Sequence, residues 1–177
     1  MIRPLKPTSK ADRSYQQVED IFFLTSSKQD FSSPQARQDF AAKYLDFYLF
    51  GAGLAFGFFD EHTLLGYITA CQNSHAATDQ LSAHHAYYKL FDQAFDDYPA
   101  HLHINVHPKT QGKGIGRKLI HHLEGYLQAE DIPGVHLITG QQAPNRAFYQ
   151  AMSYTEILQR PLGESQLVLL GKRLRAL

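Results

Sequence analysis

His101 to Leu119, HLHINVHPKTQGKGIGRKL, constrains the fold more than any other stretch of the chain. Leu102, Ile104 and Val106 alternate with His101, His103 and Asn105, the two-residue period of a strand. Pro108 has no N–H for a strand ladder, so the strand ends near it. Gln111-Gly112-Lys113-Gly114-Ile115-Gly116 is a glycine-rich turn. Ile115, Leu119, Leu123 and Leu127, with Ile120 beside them, then form the apolar stripe of a helix that Pro133-Gly134 stops. The first N–H groups of a helix have no partner in the chain, and the helix dipole makes that end partly positive. Glycines remove the Cβ atoms that would hold a phosphate away, and Lys113, Arg117 and Lys118 add positive charge. The stretch therefore reads as a phosphate or pyrophosphate site.

The spacing sorts the phosphate ligands. A Walker loop needs G-x-x-x-x-G-K-S/T, but Gly112-Lys113 is followed by Gly114. A dinucleotide fingerprint needs G-x-G-x-x-G, but Arg117 occupies the last slot. Gln111, Gly114 and Gly116 fit Gln/Arg-x-x-Gly-x-Gly/Ala, preceded by Val106-His107-Pro108. This resembles the acetyl-CoA loop of the GCN5-related N-acetyltransferase (GNAT) superfamily. The resemblance implies an α/β chain with the GNAT, or acyl-CoA N-acyltransferase, fold, in which helices flank a central mixed β-sheet. It implies acetyl-CoA as acyl donor, held by Ile104, Asn105 and Val106 on the strand and by Gln111, Gly112, Lys113, Gly114, Ile115, Gly116 and Arg117 in the loop and helix start. A nucleotide-phosphate protein of another fold is the competing reading of the same loop.

Composition narrows the setting. The 177 residues are 44% hydrophobic and 12% aromatic, the profile of one globular domain over residues 1–177. Lys plus Arg equals Asp plus Glu at 17 each, which argues against nucleic-acid or anionic-membrane partners. Cys71 is the only cysteine, so no internal disulfide forms and a cytoplasmic location fits. MIRPLKPTSK lacks the apolar core of a signal peptide. The apolar run Leu45 to Phe59 is broken by Asp46, Gly51, Gly53 and Gly57, and is too short for the roughly 20 residues of a membrane span.

In chain order the patterns predict a strand over Ile2–Lys6, a helix over Lys10–Leu24, and a helix from the Ser33 cap and Pro34 to about Tyr48. Strands over Leu54–Phe59 and Leu64–Ala70 form a hairpin. Asn73–Pro99 holds an inserted helix with His84, Tyr88, Phe91 and Phe95 at helical spacing. Tyr87, Tyr88, Phe91 and Phe95 read either as a wall of the acceptor pocket or as packed core. After the glycine loop and its helix come a strand over Val135–Thr139, parallel to the strand before the loop, a helix over Pro144–Met152, and closing strands over Tyr154–Leu158 and Gln166–Leu170. This order resembles that of the GNAT fold.

The superfamily's second motif reads N-x-x-A-x-x-F-Y-x-x-x-G-F. Here Phe148-Tyr149-Gln150-Ala151-Met152-Ser153-Tyr154 matches it, with serine in place of the glycine that ends the helix in a left-handed turn. Strict spacing puts Gln142 in the asparagine slot, while Asn145 is placed to cap a shorter helix, so cofactor contact is divided between Gln142 and Asn145. The phrase Asp97 to Asn105 further resembles bacterial relatives of the acetyltransferase-like domain of O-GlcNAcase, with Asn105 where that subgroup has aspartate.

The resemblance implies direct attack of an amine on the thioester. Tyr149 matches the family tyrosine beside the sulfur and is the candidate acid, since a phenol titrates near 10, above a thiol at roughly 8.5. His101 and His103 are the candidate bases, as an ordinary histidine near ~6.5 suits amine deprotonation. Their H-x-H pairing lacks a third ligand at telling spacing, so no metal is expected. His84-His85 and His121-His122 read as solvated helix positions. The expected partner is a small-molecule or peptide amine, with the protein a monomer or homodimer. Asn105 leaves open an acetyl-CoA-binding module of weak activity.

Overall fold

The computed structural model describes residues 1–83 and 85–174. The strands are β1 (Ile2–Pro4), β2 (Leu54–Asp60), β3 (Thr63–Cys71), β4 (Ala100–Val106), β5 (Gly134–Gly140), β6 (Thr155–Leu162) and β7 (Ser165–Arg173). The α-helices are α1 (Arg13–Thr25), α2 (Pro34–Leu49), α3 (Ser74–Ser82), α4 (Ile115–Ala129) and α5 (Arg146–Gln150). The seven strands form one mixed sheet in the order β1-β2-β3-β4-β5-β7-β6. β4 and β5 are parallel, whereas β1–β2, β2–β3, β5–β7 and β6–β7 are antiparallel. Two compact units divide the chain, Met1–Ala70 with His103–Leu123, and Cys71–Leu102 with Glu124 onward; β4 and α4 run through both.

The first unit packs α1 and α2 with the β2–β3 hairpin. Ser33 Oγ accepts from the Ala36 N–H at 3.1 Å, and Pro34 opens α2 with φ already helical. Val18, Ile21 and Phe22 of α1 share one buried cluster with Ala41, Leu45 and Leu49 of α2 and with Ala55, Leu64 and Tyr67 of the hairpin. Burying a large apolar side chain contributes about 1.5–3 kcal/mol, so this cluster holds the unit together. After α2, Gly53 lets the chain pass close to the helix, because a Cβ there would lie 2.6 Å from the Tyr48 Cα.

The second unit holds β5, β7 and β6 together with a partly buried ion pair. Glu124 of α4 accepts from Lys172 Nζ at 2.8 Å and from the Tyr154 hydroxyl at 3.1 Å. Two donors on one carboxylate offset much of the cost of burying it. The segment before β4 differs from the single inserted helix of the sequence reading. Asn73 Oδ1 caps α3 at Ala76 N (3.0 Å), and after a break the chain forms a 3-10 helix over Ala86–Ala94. The three-residue period of that helix buries Tyr88, Phe91 and Ala94 on one side. His84 lies outside the described residues.

The helix expected over Pro144–Met152 spans only Arg146–Gln150. Pro144 lacks an N–H, and Asn145 occupies the cap position without making a capping bond. At the other end Ser153 takes φ 67°. Tyr154 N then donates to Tyr149 O and Ser153 N to Gln150 O, both at 3.0 Å, the paired bonds of a Schellman turn. Among the described residues no helix is long and apolar enough to cross a membrane.

Candidate active site

The glycine loop is built from the end of β4 outward. His107 N donates to Leu65 O at 2.9 Å, and Thr110 Oγ1 donates to the same carbonyl at 3.2 Å and to His107 O at 3.0 Å. Gln111 Nε2 reaches back to Val106 O at 3.1 Å. These bonds brace the turn, so Gln111 acts here through its grip on the strand end. Gly112 and Gly114 adopt φ of 77° and 76°, the left-handed region that favours glycine. The Lys118 N–H donates to Gly114 O at 3.1 Å and opens α4.

Among the described residues, the backbone N–H groups of Gly112 through Arg117 find no acceptor. A Cβ added to Gly112 or Gly114 would meet nothing within 4 Å. The loop is thus a row of unclaimed donors at a helix N-terminus, with open space beside its two left-handed glycines. Lys113, Arg117 and Lys118 are exposed around it. A diphosphate fits this donor set by hydrogen bonding, dipole and charge together.

His103, Ile104, Asn105 and Val106 are half-buried on β4. Asn105 Nδ2 donates to Thr25 Oγ1 at the end of α1. The Thr25 hydroxyl itself donates back to Ile21 O at 2.8 Å. The His103 ring meets the Tyr48 ring edge-on, with centroids 5.6 Å apart. A cavity of about 60 Å³ lies beside these residues, lined by Phe22, Tyr44, Leu45, Tyr67, Thr69, His103 and Asn105. The sequence reading named His103 and Asn105 but missed the others. The available signal was the i, i+2 pair Tyr67 and Thr69, which shares one strand face as His103 and Asn105 do on β4.

His101 is placed differently. It is 1% exposed, with Nδ1 2.8 Å from Ser74 Oγ and its ring 5.3 Å from Tyr88 and 5.8 Å from His136. His136 Nδ1 lies 2.7 Å from Tyr98 O, a carbonyl that only accepts, so that nitrogen carries a proton. His101 is a satisfied core histidine of the second unit. Tyr88, Phe91 and Phe95 are packed in the same core rather than walling a pocket. His121 and His122 are exposed on α4, as their sequence positions suggest, with the His122 ring 4.7 Å from that of Phe56.

Tyr149, near the end of α5, is 5% exposed. Its ring lies 5.3 Å from Phe148 and 6.0 Å from Tyr154, and its hydroxyl has no hydrogen-bond partner among the described residues. Burial pushes its phenol well above the usual tyrosine range, so it stays protonated at neutral pH. Asn145 Oδ1 accepts from Thr139 Oγ1 at 3.2 Å, whereas Gln142 is exposed with no described side-chain partner. Burial also pushes the Cys71 thiol up, which makes it a poor nucleophile. Among the described residues no group of three His, Cys, Asp or Glu is placed to hold a metal.

A mixed sheet whose parallel strand feeds a glycine turn and a helix defines an α/β protein. The profile of the Acetyltransferase (GNAT) family matches residues 17–154, and the chain belongs to that family. Among solved structures it is similar in fold to aminoglycoside 6'-N-acetyltransferase complexed with coenzyme A (TM-score 0.68, 13% identity, 99% of this chain and 97% of that one). It is similar also to SsHAT (TM-score 0.69, 21% identity, 99% and 98%). A third is yncA of Salmonella typhimurium with its cofactor acetyl-CoA (TM-score 0.57, 18% identity, 99% and 94%).

Proposed function

We propose that the protein is a single-domain N-acetyltransferase that moves the acetyl group of acetyl-CoA directly to a primary amine. Acetyl-CoA supplies the acyl group and, in its thiolate, the leaving group. The row of unclaimed N–H groups from Gly112 to Arg117, before open space at the start of α4, carries the reading: it would hold the diphosphate, with Lys113 and Arg117 adding charge. Backbone groups of Ile104 to Val106 would bind the amide-rich arm and stabilise the oxyanion. Gln142 is the better reading for the second motif's cofactor contact, because the Asn145 carboxamide is engaged with Thr139.

His103 is the base in this scheme and His101 is not, because His101 is sealed in the core. The amine nitrogen forms a bond to the carbonyl carbon, His103 takes its proton, the C–S bond breaks, and the thiolate takes a proton. Tyr149, kept protonated by burial, is the proposed donor. The proposed kinship with the bacterial relatives of the O-GlcNAcase acetyltransferase-like domain rests on the phrase Asp97 to Asn105. A lone buried Cys71 suits a reducing cytoplasm.

The test is thermal stabilisation by acetyl-CoA, coenzyme A, ATP and NAD, followed by thiol release with a panel of amines. Stabilisation by the two CoA species alone, with thiol release, is expected. Stabilisation without release favours an acetyl-CoA-binding module, a reading that the locked amide of Asn105 supports. Protection by ATP or NAD but not CoA sinks both.

A further inference from the structure

The cavity in the first unit carries more information than the loop, because its lining is unusual. Tyr67 and Thr69 are each 1% exposed, yet neither hydroxyl has a hydrogen-bond partner among the described residues. Both hydroxyls line the cavity with lone pairs and a proton to offer, so the two together mark a place that a polar group can enter. Asn105 adds a third oxygen. The Thr25 hydroxyl spends its proton on Ile21 O, so it takes the amide's Nδ2 and leaves Oδ1 as an acceptor.

The lining contains no Asp, Glu, Lys or Arg. Three neutral oxygens match the three N–H groups of a primary ammonium, and Phe22 and Tyr44 supply aromatic surface that favours a single cation. A second positive charge a few atoms further along the acceptor would sit at the cavity mouth, where the lining offers it no counter-ion. Size sets the other limit. A cavity of ~150 Å³ takes a benzene-sized molecule, so the 60 Å³ here holds about two non-hydrogen atoms, the nitrogen and the carbon next to it.

Resting on the function proposed above, we infer that this cavity recognises the acceptor's amine head and selects monoamines whose nitrogen sits on a short, unbranched, uncharged chain. Polycationic amines are excluded.

The test is a wild-type acceptor panel of propylamine and 2-aminoethanol against spermidine and kanamycin, with acetyl-CoA saturating. The short monoamines are expected to exceed the polycations by about 100-fold in kcat/KM, a gap of two decades in transition-state binding. Tyr67→Phe combined with Thr69→Val, which remove only the hydroxyls, should raise KM for propylamine about 10-fold at nearly constant kcat and leave the acetyl-CoA thermal shift unchanged. Polycations used equally well, or an unmoved KM in the double variant, overturn the inference. If acetyl-CoA fails to bind, the function proposed above falls by itself. Calorimetry of propylamine with the wild type then decides the cavity alone, binding supporting it and no binding sinking it.

Discussion

The side chain of Asn105 on β4 is tied to Thr25 at the end of α1, and the direction of that bond is fixed by a second one. Thr25 Oγ1 donates to Ile21 O at 2.8 Å, so toward Asn105 it offers only lone pairs. An amide N–H satisfies them; a carboxylate repels them.

Asn105→Asp is therefore expected to destabilise the protein by about 1–3 kcal/mol at pH 7, the cost of a lost bond and a poorly paired charge. The loss should shrink on acidification, because a protonated carboxyl can donate to Thr25 as the amide does. The sign follows from linkage: this site raises the carboxyl's folded pKa, so its stability is greatest below the unfolded value near 3.9 and is lost as pH rises through the folded one. Urea melts of both proteins between pH 4 and 7.5 check this. A variant equally stable at pH 7 would show that the Thr25 hydroxyl turns round.

Tyr149→Phe should separate chemistry from folding. The hydroxyl has no partner among the described residues, so removing it leaves no orphaned group and stability should hold or rise slightly. If the phenol protonates the leaving thiolate, kcat should fall about 100-fold while the acetyl-CoA thermal shift stays constant. Unchanged turnover removes its assigned role.

Ser153 holds φ 67° in the turn where the family motif has glycine. A left-handed residue with a side chain costs about 1–2 kcal/mol, and glycine returns some of that as unfolded-state entropy. Ser153→Gly should stabilise by about 0.5–1 kcal/mol, read as a higher urea midpoint at constant slope. Ser153→Val should do the reverse, since a β-branched side chain tolerates this region worst.

How far the sequence revealed the site depended on whether the signal was local. The glycine loop was legible because Gly112 and Gly114 must adopt positive φ and Pro108 must end a strand; these are properties of single residues. Ser153 was legible for the same reason, through the slot it fills. The cavity was not, because Phe22, Tyr44 and Tyr67 look like ordinary core positions until α1, α2 and β3 are brought together. The two histidines of β4 show the same limit. His101 and His103 are equivalent by alternation, and only Ser74, Tyr88 and His136 around the first distinguish them. The 3-10 helix before β4 escaped notice because Phe91 and Phe95 also satisfy an α-helical period.

The buried phenols predict a sharp alkaline limit. Burial pushes Tyr67, Tyr149 and Tyr154 above the usual tyrosine range, and at Tyr154 the Glu124 charge adds to it. Groups with raised folded pKa values contribute stability that is complete below the unfolded value near 10 and drains away above it, as the unfolded chain ionises first. Each phenol withdraws about 1.4 kcal/mol per pH unit in that range, and three together remove about 4 kcal/mol by pH 11, a large part of a typical 5–15 kcal/mol. Stability should therefore be flat from pH 7.5 to about 9.5 and collapse between about pH 10 and 11.5. Tyrosinate absorbance from the buried rings should appear in the same transition as the loss of secondary structure. If all ten tyrosines titrate together near pH 10 while the fold persists, these hydroxyls reach solvent and the burial argument fails.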